Sequence, residues 1–246
     1  MKLVMKDVKL LKQSVDAMVD LIKDTEFVIN EYGMSLKAID VGQIAMVIFN
    51  IPRDCFEEFE VKDTKKIGIN LPSLHSVLKR AKNNEKVILE TKENKKLGII
   101  FEGENRRSFS INLLDLVSSE LPNPDISYDA NIRLNSNTLL DGVKDASLFA
   151  NYLIMKATKN EFIISAKGPQ GDIENKTPLD SKAISEKEVK DEATSMYSIE
   201  YLQHLLKGTL PDTEVEIFLK SNAPLKLKYA IDCAAIQFFL APRDIE

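Results

Sequence analysis

Apolar residues at Val8, Leu11, Val15 and Met18 recur at intervals of three, four and three, which predicts a helix with one buried face. Asp7 stands where its N-cap belongs. Alternation of apolar and polar residues then takes over and predicts strands near 26–30, 34–38, 44–49 and 66–70. Pro72-Ser73 opens a second helix, with proline in the favoured first turn. Strands near 86–91, 96–102 and 107–113 follow. The second half reads the same way. A strand through Ile132 and Leu134 precedes a helix near 137–147 and strands near 152–157, 161–167 and 171–176. A strand near 194–197 then leads to a helix near 199–207 and strands near 214–220, 225–231 and 235–240. Glycine and proline bracket the 171–176 strand (Gly168-Pro169-Gln170-Gly171, then Pro178), which marks it as an edge strand. The charged stretch 185–192 reads as a solvated loop.

The two halves repeat. At a shift of 128 residues Leu74 meets Leu202, Leu78 meets Leu206, Lys79 meets Lys207, Val87 meets Val215, Leu97 meets Leu225 and Ile99 meets Leu227. At a shift of 129 the first helices align, with Asp16-Ala17 on Asp145-Ala146. Two homologous domains follow. Leu121-Pro122-Asn123-Pro124-Asp125 carries two prolines and cannot be a central strand, so it reads as an extended connector. The expected division is a first domain over 1–117, a connector over 118–128 and a second domain over 129–246. The fold class is α+β, with two helices per domain backed by antiparallel strands.

Composition adds exclusions. At 44% hydrophobic and 29% charged residues, the chain is an ordinary globular sequence. No apolar run approaches the ~18–20 residues of a membrane helix, and the N-terminus has no secretory core. Cys55 and Cys233 match no metal or redox spacing and read as reduced thiols. With two histidines and no Cys-x-x-Cys, no metal site and no cofactor are expected. No Walker loop, Rossmann glycine pattern or nucleophile elbow appears. His75 and His204 read as surface or rim residues without a carboxylate at catalytic spacing. No catalytic residue is assigned, although an enzyme with dispersed carboxylates remains the alternative from another class.

The net charge of −5 disfavours coating nucleic acid with the whole surface, but not with one strip. The helices supply such a strip: Lys9, Lys12, Lys79, Arg80, Lys82, Lys144 and Lys207. Asp16, Asp20, Asp141, Asp145 and Glu200 dilute it. Lys79 and Lys207 occupy one position in the repeat, where each would meet phosphates without reading bases.

Over essentially its whole length the chain resembles the sliding clamps of the proliferating cell nuclear antigen family, most closely the archaeal ones. The resemblance rests on Gly33-Met34-Ser35-Leu36-Lys37-Ala38-Ile39-Asp40-Val41-Gly42-Gln43-Ile44, on Gly68-Ile69-Asn70-Leu71 with Leu74 and Leu78-Lys79, and on Val143-Lys144-Asp145-Ala146-Ser147. It also rests on Ala223-Pro224-Leu225 with the ending Leu240-Ala241-Pro242-Arg243. It implies a non-catalytic ring of three identical subunits around double-stranded DNA, helices inside and sheets outside. Such a ring tethers DNA polymerase, flap endonuclease and DNA ligase through short hydrophobic motifs and is placed on DNA by a clamp loader. The implied location is cytoplasmic at the archaeal nucleoid, or nuclear in a eukaryote, with no membrane partner. The lysines and arginine above become the DNA lining. A partner-peptide pocket falls on Ile39, Val41, Gly42, Gln43, Ile44, Leu121, Pro122, Pro124, Pro224, Phe239, Ala241 and Pro242. The subunit interface joins the strand of Arg106, Arg107, Phe109 and Ile111 to that of Ile173 in the next copy. Arg106, Arg107, Arg80 and Lys82 are expected to face Asp141 and Asp145 across it. The nearest alternative is one subunit of a heterotrimeric clamp.

Overall fold

The computed structural model of the chain describes residues 1–92, 95–117 and 121–244 (of Lys92, the backbone). Residues 118–120 of the expected connector, and Ile245 and Glu246 at the tail, lie outside them. The chain forms two compact units. One comprises Met1–Val41, Val47–Pro122 and Ile231–Ile236; the other comprises Gly42–Met46, Asn123–Ala230 and Gln237 onward.

In chain order the first half runs β1 (Lys2–Met5), α1 (Val8–Met18), β2 (Asp24–Asn30), β3 (Gly33–Ile39), β4 (Ala45–Pro52), β5 (Glu58–Glu60), β6 (Lys65–Asn70), α2 (Leu71–Leu78), β7 (Lys86–Lys92), β8 (Lys96–Glu102) and β9 (Arg106–Asn112). A 3-10 turn, Arg53–Cys55, follows β4. The second half runs β10 (Ala130–Asn135), α3 (Ser136–Ser147), β11 (Tyr152–Ala157), β12 (Glu161–Gly168), β13 (Gly171–Pro178), β14 (Ile184–Val189), β15 (Ala193–Ser198), α4 (Ile199–Leu206), β16 (Glu214–Leu219), β17 (Leu225–Ile231) and β18 (Ala234–Leu240). The expected α+β class stands: among the described residues, four α-helices accompany antiparallel strands. Within the first unit the strand orders are β5-β1-β7-β8-β9 and β4-β3-β2-β6. Within the second they are β14-β10-β16-β17-β18 and β13-β12-β11-β15. The second set reproduces the first, strand for strand, at the 128-residue shift.

Local chemistry explains the helices. Asp7 is extended, and its carboxylate accepts from the Lys9 N–H at 2.8 Å. Asn70 caps α2 by accepting from the Ser73 N–H, with Pro72 in the first turn. Asn135 caps α3 in the same way at Asn137. The stripe Val8, Leu11, Val15 and Met18 is buried as the spacing predicts. The apolar pairs named above are buried too, from Leu74 and Leu202 to Ile99 and Leu227. Each such side chain contributes roughly 1.5–3 kcal/mol, so the repeat marks the two cores. In the second unit α3 lies close on β12 because residue 142 is glycine; a Cβ there would stand 2.7 Å from the Ile164 Cδ1.

Three expectations change. The stretch 185–192 is not a loop: β14 pairs with β10 along Ala130↔Val189 to Leu134↔Ile184. Its interior residues are exposed, so no alternation betrays it. His75 is not a rim residue. It is buried on α2, and its Nε2 lies 2.5 Å from the Asp16 Oδ1 on α1. The helices bring together two groups that lie 59 positions apart in sequence.

The cysteines are not free. Cys55 and Cys233 form a disulfide within the first unit, their Cα atoms 6.1 Å apart. A separation of 178 residues hid the pair, because spacing carries no pairing information at that range. The bond ties the turn after β4 to the turn between β17 and β18. Cross-linking so long a loop restricts the unfolded chain and stabilises by roughly 2–4 kcal/mol. Cys55→Ser and Cys233→Ser should therefore each lower the melting temperature by several degrees, and dithiothreitol should do the same to the natural chain alone. Quantitative alkylation of both thiols without reductant would refute the bond.

Candidate functional site

The residues expected to form a peptide pocket fall into two sets, one in each unit. In the first unit Ile39 ends β3 and Val41 follows it. Ile39 is 36% exposed and Val41 92% exposed, so neither is core. A cavity of about 480 Å³ is walled by Ile39, Leu121, Leu116, Val117, Val28 and the aliphatic part of Lys37, with Asp24, Glu26 and Lys66 also lining it. The Lys37 ammonium donates to the Leu121 carbonyl, which fixes the connector beside β3. Pro122 is exposed. Leu116 and Val117 were missed by the sequence reading; their signal is two apolar residues just before the proline-rich connector.

In the second unit Gly42, Gln43 and Ile44 are exposed, with Gln43 at φ 55°. The Ile44 carbonyl accepts from the Ala241 N–H at 2.8 Å, so this segment and the tail lie side by side. Ala241, Pro242, Pro224 and Pro124 are half-buried. Phe239 is 6% exposed and belongs to the core rather than to an open wall. The Arg243 N–H bonds to the Met196 carbonyl, and its guanidinium stacks on Tyr152 at 4.8 Å. The tail is therefore anchored at both Ala241 and Arg243.

The expected DNA-lining residues all sit on helices or just after them. Lys9 and Lys12 lie on α1, Lys144 on α3, and Lys79 and Lys207 are the C-caps of α2 and α4. Cations at helix C-termini are favoured by the helix dipole. Lys9, Lys79, Arg80, Lys82, Lys144 and Lys207 are exposed, and Lys12 is half-buried. Among the described residues, Lys9, Lys12, Lys79, Arg80 and Lys144 enter no salt bridge. Asp141 and Asp145 are exposed on α3 beside Lys144.

The two expected interface strands are both sheet edges: β9 in the first unit and β13 in the second. Neither has a fully buried residue. Arg107, Phe109 and Ile111 share the half-buried face of β9, and Ile173 is half-buried on β13. Arg107 has partners in its own chain. It donates to the Arg80 carbonyl at 2.8 Å and to the Glu85 carboxylate at 2.6 Å, over the Phe101 ring. Glu85 is buried and also accepts from the Lys82 N–H. Arg107 is thus committed within its own chain, because a buried carboxylate requires a partner. Arg106 pairs with Glu102 at 3.4 Å.

Across the outward face of the second unit, Glu186, Arg133, Glu216 and Lys228 stand side by side on β14, β10, β16 and β17. Arg133 bonds both glutamates, and Lys228 reaches Glu216 at 3.0 Å. No group of His, Cys, Asp and Glu among the described residues could hold a metal ion. No described helix is long and apolar enough to cross a membrane.

The decisive observation is the match to known proteins. The N-terminal domain model of proliferating cell nuclear antigen matches residues 1–122, and the C-terminal domain model matches residues 123–244. The chain belongs to the proliferating cell nuclear antigen family. A relative called a DNA polymerase sliding clamp, from Thermococcus onnurineus, is 34% identical over 225 residues, covering 91% of this chain and 90% of the relative. The structure of the family member from Thermococcus kodakaraensis shares the fold, with a TM-score of 0.94 at 23% identity over 98% of this chain and 99% of that one. The A. fulgidus family member, solved with the C-terminal region of FEN-1 bound, gives a TM-score of 0.91 at 25% identity over 100% and 99% of the two chains.

The charge ladder carries a test. Burial alone would raise the Glu216 carboxyl, but hydrogen bonds from Arg133 and Lys228 outweigh it and hold the group below its ordinary value of 4.5. Its stabilising contribution is therefore complete above pH 4.5 and is lost as pH falls through the lower folded value. Urea midpoints measured from pH 6 to 3 should fall more steeply for the natural chain than for Glu216→Gln. Parallel curves would show that the ladder contributes nothing to acid stability.

Proposed function

We propose that this chain is a sliding clamp without catalytic activity of its own, and that three copies close head to tail into a ring around duplex DNA. The observation that carries the reading is the pair of open edges, β9 and β13. In the second unit the end of β18 is bonded to the start of β4 through Ala241 and Ile44. At the repeat shift these elements correspond to β9 and β13. A second copy would supply the missing pairing, Phe109 and Ile111 meeting Ile173. Such a heterologous contact builds a closed ring when the rotation fits, and three two-domain chains supply six repeats. The reading takes 1–117 and 129–246 as the two domains, with the proline-rich segment 118–128 as connector.

The helices would line the hole, with Lys9, Lys12, Lys79, Arg80, Lys82, Lys144 and Lys207 meeting phosphates in passing. Loose, sequence-blind contacts allow sliding, and the acidic residues among them keep the contacts loose. On the outside, Ile39, Val41, Gly42, Gln43, Ile44, the connector at Leu121, Pro122 and Pro124, and Pro224, Ala241 and Pro242 would receive an aliphatic and two aromatic side chains from a partner peptide. FEN-1 bound to the A. fulgidus family member supports that reading. DNA polymerase, DNA ligase and a clamp loader would use the same site, in the cytoplasm at the nucleoid. Tethering makes each partner's rebinding effectively intramolecular.

One observation favours the heterotrimer instead: β13 carries Gly171, Asp172, Asn175 and Pro178, which are poor strand formers. Light scattering over a concentration series separates the two. A mass near three times 27.7 kDa supports the self-sufficient ring; a persistent monomer or dimer supports the need for sister subunits. If the homotrimer forms, Lys12, Lys79, Lys144 and Lys207 changed together to alanine should weaken retention on circular DNA. Each lost phosphate contact should reduce the salt slope by about 0.9. Ile44→Ser should lower affinity for a flap endonuclease tail about tenfold without lowering the melting temperature, because Ile44 is 39% exposed.

A further inference from the structure

The segment that links the two halves is short of main-chain donors. Residues 121–128 belong to no strand, and Pro122 and Pro124 have no N–H. Carbonyls are therefore its main handles, and lysines take hold of them near both ends. In the first unit the Lys37 ammonium, from β3, donates to the Leu121 carbonyl. In the second unit the ammonium of Lys220, the residue after β16, donates to the Ser127 carbonyl at 3.0 Å. The Asp129 N–H then bonds the Leu219 carbonyl, and the chain returns to sheet pairing in β10. Both lysines are half-buried, while Pro122, Asn123 and Asp125 between the two holds are exposed.

The place of the first hold gives it a consequence. Lys37 and Leu121 both line the cavity of about 480 Å³ in the first unit, together with Ile39, Leu116 and Val117. Part of that apolar wall is therefore connector rather than sheet, and an ammonium–carbonyl bond sets its distance from β3. A charged donor makes a stronger hydrogen bond than a neutral one. At the repeat shift Lys37 falls on Ser165, and in that half the tail is held by main-chain bonds from the Ala241 and Arg243 N–H groups instead. A peptide that docks against a wall already in place has a lower ordering cost than one that must first collect a loose segment.

We propose that Lys37 and Lys220 are positioning residues for partner binding: they clasp the connector in place, so that peptide affinity depends on lysines the peptide need not touch. The proposal rests on the peptide-groove reading above. Two measurements on the full chain test it. Hydrogen exchange followed by mass spectrometry reads the hold on the connector, through the amides of Asn123, Asp125, Ile126 and Ser127. Anisotropy reads affinity for a fluorescein-labelled peptide with one isoleucine, two phenylalanines and no charged side chain. Lys37→Met and Lys220→Met together should speed connector exchange several-fold and weaken the peptide about tenfold, with the melting temperature unchanged. Lys37→Arg and Lys220→Arg keep a charged donor and should restore both readouts. Lys159→Met makes the same change of charge at an exposed turn and should alter neither. Connector exchange unchanged in the double methionine variant overturns the proposal, and so does faster exchange with full peptide affinity. If the natural chain binds no peptide although exchange responds to the lysines, the groove reading itself fails and the proposal with it.

Discussion

A sheet edge is a row of main-chain donors and acceptors with no partner, and the strands of each unit must answer for theirs. Most edges here are managed. β5 is only three residues long. β14 is covered in charge and breaks register with β10 between Arg133 and Leu134. β6 and β15 each receive a single bridge from a neighbouring segment, Gly68 to Leu114 and Met196 to Arg243. β9 and β13 receive no such bridge among the described residues, although β13 does carry exposed Asp172, Glu174 and Lys176. β9 presents Phe109 and Ile111 beside its open edge, and a glycine-led hairpin sets β13 next to β12. At Gly168 a Cβ would stand 1.8 Å from the Phe149 carbonyl oxygen, so only glycine permits that close approach. The unmanaged edges are the ones that assembly would use.

The parts of this architecture that depend on local chemistry were legible in the sequence. Helix spacing, caps and the proline of α2 each act within a few residues. The repeat extended that legibility, because aligned leucines mark the same core position twice. What escaped depends on contact between distant residues or on exposure. β14 shows no alternation because Ser185 to Glu188 are exposed on both of its faces. Asp16 and His75 meet only once α1 and α2 are packed, and the disulfide only once the chain has returned from residue 233. Of the residues proposed to receive a peptide, Ile39 and Ile44 are exposed, whereas Phe239 lies beneath the surface.

Charge follows the same division between settled and unsettled groups. Acidic residues outnumber basic ones, and many pairs are closed within the chain, as in the Glu186–Arg133–Glu216–Lys228 ladder and at Glu85 with Arg107. The helix lysines Lys12, Lys79 and Lys144 are not closed in this way. A modest excess of uncommitted cations on helices, within a chain of net charge −5, is what a surface needs if it is to touch phosphates and release them. A more basic strip would hold DNA in place, and a fully paired one would ignore it.

The chain path also limits how far the two halves can be separated. The family models divide the sequence at residues 122 and 123, but the compact units do not follow that division. The first unit includes Ile231–Ile236, and the second includes Gly42–Met46. A chain cut at residue 122 would therefore lack part of its first unit, including Cys233, the disulfide partner of Cys55. The second half alone would lack the Ile44 carbonyl that holds Ala241. The segments exchanged are short, yet they contain Gly42, Gln43 and Ile44, three of the residues assigned to the peptide groove. Each unit thus draws on segments from both halves of the chain, and a partner that binds only the folded chain would stabilise the whole rather than either half.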